Sequence, residues 1–152
     1  MLGFRETPVT DEAAHALLAE YFAFRAATFP SPGGYRTTFP EPEAFEPPRG
    51  VFLVAELDGD AVGCGGIRAL GGGVFEVKHL WLRPAVQGRG FGRALLAELE
   101  RRAIGFGASE LVLDTNASLE AAGGLYRSSG YDDTEPYNDN PNATNWYRKS
   151  LQ

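Results

Sequence analysis

Apolar residues at Ala14, Leu17, Leu18, Tyr21 and Phe22 recur at helical spacing, so residues from about Thr10 to Thr28 read as a helix with one apolar face. Thr10 is the expected N-cap, and Asp11 and Glu12 place negative charge where the helix dipole favours it. Residues 2–6 form a short first strand. From Val51 the period shortens. Val51–Leu57 and Ala61–Ile67 flank Asp58-Gly59-Asp60, an Asp-Gly hairpin signal. Gly71-Gly72-Gly73 turns the chain into a third strand, Val74–Leu82, which Pro84 ends. A second helix follows from Gly90 to about Ile104, with Phe91, Leu95, Leu96, Leu99 and Ala103 on one face, stopped by Gly105 and Gly107. Leu111–Leu113 is a short apolar strand of the kind buried on both faces. Leu119–Ser128 reads as a third helix closed by Gly130, and Trp146–Leu151 as a final strand.

Between the first helix and the meander, Pro30, Pro32, Pro40, Pro42, Pro47 and Pro48 are six of the chain's ten prolines. They exclude a regular helix or a central strand and imply an ordered loop, with one short helix at Pro42–Phe45. A hairpin meander followed by strand–helix–strand–helix implies a mixed sheet with helices on its faces, in one domain over residues 1–152.

Composition narrows the function. Hydrophobic residues are 43% and charged residues 22% of the chain, as in ordinary globular proteins. A net charge of −6 gives no basic field for nucleic acid or anionic lipid. No apolar run approaches the roughly 18 residues of a membrane span, and no signal peptide is evident, so a cytoplasmic location is expected. Cys64 is the only cysteine, excludes an internal disulfide, and reads as a small core residue. His79 reads as a packed or surface histidine; His15 lies far off in the first helix, so no metal site is expected.

The candidate chemistry lies at Gln87-Gly88-Arg89-Gly90-Phe91-Gly92. Glycine lets a ligand approach the peptide groups, and the first N–H groups of a helix lack internal partners and point along its positive end. A strand, a Gly-rich turn and a helix start therefore make an anion site, with Arg89 and Arg93 adding charge at its rim. Two nucleotide-binding motifs fail on spacing. Counted from Gly88 the third glycine of Gly-x-Gly-x-x-Gly falls one place early, at Gly92, and no Gly-Lys-Ser/Thr ending is present. Asp114 stands about 20 residues on, as a ribose-binding acid would, but too little chain follows for the remaining strands.

The segment resembles the pyrophosphate loop of the GNAT superfamily of N-acetyltransferases, Arg/Gln-x-x-Gly-x-Gly/Ala, in Gln87, Gly90 and Gly92. Glu76–Pro84 is similar to the family's fourth strand, and Leu111–Asn116 to its fifth. Ala121, Ala122 and Leu125-Tyr126-Arg127-Ser128-Ser129-Gly130-Tyr131 resemble its Ala-x-x-Leu-Tyr-x-x-x-Gly-Phe/Tyr stretch. The resemblance is strong from about 51 to 131 and weak before residue 50. It implies a single-domain α/β (α+β) GNAT-like fold: a mixed, mostly antiparallel sheet of six to seven strands with helices on both faces. It also implies acetyl-CoA as co-substrate, no metal, and transfer of acetyl to an amine by direct attack in a ternary complex.

In that family the fourth and fifth strands splay at a bulge that admits the pantetheine arm. The resemblance thus places backbone groups of Leu80, Trp81 and Leu82 on the arm, the 87–92 amides on the pyrophosphate, and a backbone N–H near Leu80 on the oxyanion. Tyr126 matches the general-acid position beside the sulfur; its other reading is a core aromatic. Glu76, eleven residues before Gln87, is the candidate base. Strict alternation puts it on one face with Lys78, Leu80 and Leu82, opposite Val77, His79 and Trp81. A solvated Glu76–Lys78 pair, with water as base, stays open. Asn116 is a contact to pantetheine or water, or a helix cap, a role Ser118 serves equally. Acidic residues Glu41, Glu43, Glu46, Asp132, Asp133, Glu135 and Asp139 are candidates for steering a cationic amine. The acceptor is a small-molecule or peptide amine, and a homodimer through the final strand is open. A non-catalytic acyl-CoA-binding or sensing module is the alternative.

Overall fold

Asp58 and Gly59 both take positive φ, 53° and 90°. This is the backbone that joins two right-twisted strands through a two-residue turn. The hairpin it closes belongs to the single sheet of a computed structural model describing all 152 residues. β1 (Leu2–Glu6), β2 (Gly50–Leu57), β3 (Asp60–Gly71), β4 (Val74–Leu82), β5 (Glu110–Thr115), β6 (Asp132–Asp133) and β7 (Asn145–Ser150) form one seven-stranded sheet. Its order is β1-β2-β3-β4-β5-β7-β6. Every pairing is antiparallel except β4 with β5, where α2 (Phe91–Gly105) makes the crossover that parallel strands require. The expected architecture is therefore present, with the chain's other α-helices at α1 (Glu12–Thr28) and α3 (Glu120–Ser128).

The β2 run Val51-Phe52-Leu53-Val54 is buried on both faces, and alternation sorts it into two cores. Val51 and Leu53 join Ile67, Phe75 and Val77 under Leu95, Leu96 and Leu99 of α2. Phe52 and Val54 join Cys64 and Trp81 under Leu17, Leu18 and Phe22 of α1, with Phe45 from the 3₁₀ turn Pro42–Phe45 closing the end. Burying each such side chain contributes roughly 1.5–3 kcal/mol. α1 begins one residue later than the sequence suggests. Asp11, not Thr10, is the N-cap; its Oδ2 accepts from the amides of Ala13 at 3.1 Å and Ala14 at 3.2 Å. The last strand is not a free edge, because β6 pairs along Tyr147 and Arg148.

β4 departs from strict alternation. Cys64 pairs with Trp81 and Gly66 with Lys78, two steps on β3 against three on β4. The extra residue is a β-bulge, and His79 takes the strain with φ 60°. Beyond it the faces exchange. Leu80 packs with the α2 core beside Phe75 and Val77, while Trp81 packs with the α1 core. Glu76 and Lys78 therefore do not share a face with Leu80 and Leu82, as alternation alone implied. The bulge also turns β4 away from β5. Their ladder covers only Val74–Glu76 against Glu110–Val112, while β5 stays paired to β7 through Thr115.

Gly66 sits where the proline-rich loop meets the sheet. A Cβ there would lie 2.8 Å from the Phe45 ring and 3.0 Å from Phe52. Gly66→Ala should lower stability by about 1–3 kcal/mol through overpacking. Urea denaturation measures this, and an unchanged midpoint would mean that the Phe45 turn yields freely.

Candidate active site

The glycine-rich turn has the backbone of an anion cradle. Gly88 and Gly90 take φ 77° and 81°, and no atom lies within 4 Å of where their Cβ atoms would be. Gly90 caps α2, and none of the backbone N–H groups from Gly88 to Arg93 donates a hydrogen bond within the chain. Gln87 holds the turn against the strand, its Nε2 donating to the Leu82 carbonyl at 2.8 Å. Gly92 admits Leu125 and Leu82 on either side, each close to where a Cβ would be. Arg89 lies over the Phe91 ring at 4.8 Å. Arg93 bridges to α3, donating to Ser128 Oγ at 2.8 Å and Ser129 Oγ at 3.2 Å. An open row of amides at the positive end of a 15-residue helix fits a pyrophosphate.

From this turn the gap between β4 and β5 leads to a cavity of about 410 Å³, within the range of small-molecule sites. Lys78, His79 and Leu80 of β4 form one wall, Asp114 and Thr115 of β5 another. α1, the proline-rich loop and the segment before β7 close the remainder. Tyr126 opens onto it from α3. The residue is 7% exposed, its ring packs between Tyr131 and Tyr147, and its hydroxyl has no hydrogen bond within the chain. Burial pushes this phenol well above its ordinary value. Tyr21 and Asp114 push the same way, against Arg25. The Tyr126 proton is therefore held on oxygen at neutral pH.

The other expected site residues are placed differently. Glu76 is 1% exposed and outside the cavity lining. Oε1 takes the Arg68 guanidinium at 2.8 Å, and Oε2 accepts from the Tyr137 hydroxyl at 2.5 Å. Lys78 pairs with Asp114 at 3.7 Å rather than with Glu76. Asn116 is buried, its Oδ1 accepting from Ser118 N and its Nδ2 donating to the Asn142 carbonyl. It caps no helix: α3 has Leu119 at its N-cap, without a side-chain bond, which also leaves Ser118 out of that role. Trp81 turns its ring into the α1 core, and its backbone pairs with Cys64 of β3. Of the acidic residues proposed for steering, Glu41 alone lines the cavity.

His79, read as a packed or surface residue, is part of the site. Its ring lies against Tyr21, Phe22 and Phe45. Burial, with Lys78 and Arg68 adding repulsion, pushes the imidazole down to about 3. Two further features have sequence signals that periodicity did not weigh. Arg25 continues the buried stripe of α1 one turn beyond Tyr21 and Phe22. Asn138, Asn140 and Asn142, spaced by two, form a ladder in which each side-chain oxygen accepts from the backbone two residues on, or ties across the cavity. Asn142 grips both backbone groups of Arg36, at 3.0 and 2.8 Å.

Residues 12–131 match the sequence profile of the acetyltransferase (GNAT) family. The chain belongs to that family. It is 40% identical over 99 residues to an uncharacterized N-acetyltransferase of Schizosaccharomyces pombe, a match covering 64% of this chain and 61% of that protein. It is 32% identical over 134 residues to an IAA acetyltransferase of Azospirillum brasilense, covering 88% and 85%. Among solved structures, a GNAT-family acetyltransferase of Staphylococcus aureus superposes with a TM-score of 0.83 at 14% identity, covering both chains fully. One from Elizabethkingia anophelis, crystallised with acetyl-CoA bound, gives 0.68 at 16% identity, covering 98% and 97%.

His79 makes stability pH-dependent. Its value lies near 3 in the fold against 6.5 for the free side chain, so the unfolded chain binds the extra proton between those limits. The contribution of the neutral ring is complete above pH 6.5 and is lost as pH falls towards 3. Asparagine accepts the positive φ, so His79→Asn should flatten the fall in melting temperature over that window. Parallel slopes for the two proteins would show that the imidazole is not desolvated.

Proposed function

We propose that the chain is an acetyl-CoA-dependent N-acetyltransferase acting on a primary amine by direct attack in a ternary complex. The observation that carries this is the line from the unpartnered amides of Gly88–Arg93, along the β4–β5 gap, to the free Tyr126 hydroxyl. Gln87, Gly88, Arg89, Gly90, Phe91, Gly92 and Arg93 would hold the pyrophosphate. The stretch of β4 at Leu80, Trp81 and Leu82, which has no strand partner on its β5 side, would hold the pantetheine, with Asn116 beyond the far strand. The coenzyme supplies an activated acetyl thioester, reactive enough that no covalent enzyme intermediate is needed.

The chain's own residues then align, donate and exclude. The Leu80 N–H, on the gap side of the bulge, is the donor to the oxygen that gains charge as the amine adds. Tyr126 is the general acid for the departing sulfur, since its hydroxyl opens onto the cavity and is held by no partner in the chain. Glu76, the candidate base, is sealed by Arg68 and Tyr137, and we assign it the holding of Arg68 at the cavity wall. The ammonium loses its proton to water in the cavity.

Free-thiol release from acetyl-CoA across a broad amine panel tests the reading. Tyr126→Phe should lower kcat by about 10²–10⁴-fold while leaving coenzyme affinity intact. Tight coenzyme binding without thiol release for any amine would instead indicate a binding module. Glu76→Gln should lower kcat/KM by less than about tenfold, below what loss of a positioned base costs. A larger fall, with the acidic limb of the pH profile removed, would return the base role to Glu76.

A further inference from the structure

Arg25 occupies a position that the α1 stripe would give to an apolar side chain. Ala14, Leu17, Leu18 and Phe22 precede it on the buried face, and Arg25 itself is only 6% exposed. A charge so placed is costly unless it is paired. Yet no carboxylate of the chain reaches it. Nη1 donates to the Tyr21 hydroxyl at 3.2 Å, Nη2 to the Asn142 carbonyl at 3.5 Å, and the guanidinium lies 4.7 Å from the centre of the Tyr35 ring. Five N–H donors are available on a guanidinium, so most remain unused.

The other cavity charges are accounted for. Arg68 is neutralised by Glu76 and Lys78 by Asp114. Arg36 and Glu41 stand at the exposed lip. Arg25 is thus the buried cation of the cavity without a counter-charge, in a chain whose net charge is −6. Around it the wall is aromatic, formed by Phe22, Tyr35, Phe39, Phe45 and the neutral His79.

Resting on the transferase reading above, we infer that the acceptor amine carries a carboxylate that pairs with Arg25, joined to an apolar or aromatic body. The acceptor is of the amino-acid class, not a simple amine or polyamine. The guanidinium fork matches a carboxylate, and the aromatic wall takes the side chain. The acidic residues considered for steering a cationic amine lie outside the cavity except for Glu41 at its lip, which favours the same choice.

Matched acceptors test this through thiol release: phenylalanine against phenylalaninamide and phenethylamine, and leucine against leucinamide. The acid should lead each set in kcat/KM by on the order of 10- to 100-fold, the effect of one charge-assisted pair. In Arg25→Met, which restores the apolar stripe, that ratio should collapse towards one while the melting temperature holds or rises. Arg25→Lys should keep part of the preference. Amides or amines that match the acids in the wild type overturn the inference, as does an Arg25→Met that lowers acids and amides alike. Calorimetry of N-acetylphenylalanine and its amide with the coenzyme A complex gives a readout independent of turnover. Equal binding of the two sinks the inference; selective binding of the acid, lost in Arg25→Met, supports it. Absence of thiol release with every amine counts against the transferase reading, and the calorimetry then still decides the role of Arg25.

Discussion

One inserted residue in β4 governs the site. A sheet is cohesive because adjacent strands satisfy each other's backbone groups, and separating two central strands would ordinarily leave those groups costly and unpaired. The bulge at His79 makes the separation local. β4 keeps its ladder with β3 on one side, β5 keeps its ladder with β7 on the other, and only the facing edges beyond Glu76 and Val112 part. The same step reverses the side-chain alternation, so Leu80 fills the α2 core and Trp81 the α1 core on either side of the gap. A backbone device thus opens the cleft without emptying either core.

The cavity beyond the gap needs a different kind of support, because its far wall is loop. Asn142 supplies it. Its side chain grips the backbone of Arg36, and its carbonyl receives both Asn116 and Arg25. The proline-rich loop, α1, the turn after β5 and the segment before β7 therefore meet at one residue. Asn138 extends the tie, donating to Asp114 and accepting from Trp146. Such a network is worth having only when each member is satisfied, since partly satisfied buried groups are costly.

Electrostatics divides the site into two poles of different construction. At the proposed coenzyme pole positive potential comes from peptide groups at a helix start, with Arg89 and Arg93 only at its margin. At the proposed acceptor pole it comes from side chains, and two of them, Arg68 and Lys78, are cancelled by Glu76 and Asp114. The pairing with Arg68 is what supports assigning Glu76 a holding role in place of the base role its spacing to Gln87 suggested. The carboxylate is committed on both oxygens, and the alternation that grouped it with Leu80 and Leu82 stops holding at the bulge.

This division decides what could be read in the residues. The coenzyme pole is built from backbone of contiguous chain, so Gln87 to Gly92, the strand before and the helix after carry it as a local pattern. The sheet was legible for the same reason: turns such as Asp58-Gly59 and the periods of β2 to β4 are local. The acceptor pole was not, because Arg25, Arg68, Lys78, Asp114 and Asn142 come from segments far apart in sequence and belong to no spacing rule. Alternation failed at His79 because a bulge needs only one residue to take positive φ, and histidine gives no warning of it. Arg25 left a faint trace, a charge on the buried stripe of α1. A charged side chain on an apolar helical face either reaches solvent along its stem or stays buried beside a partner. At 6% exposure and without an acidic partner in the chain, Arg25 does neither within the protein alone, which places the missing counter-charge on the molecule the cavity receives.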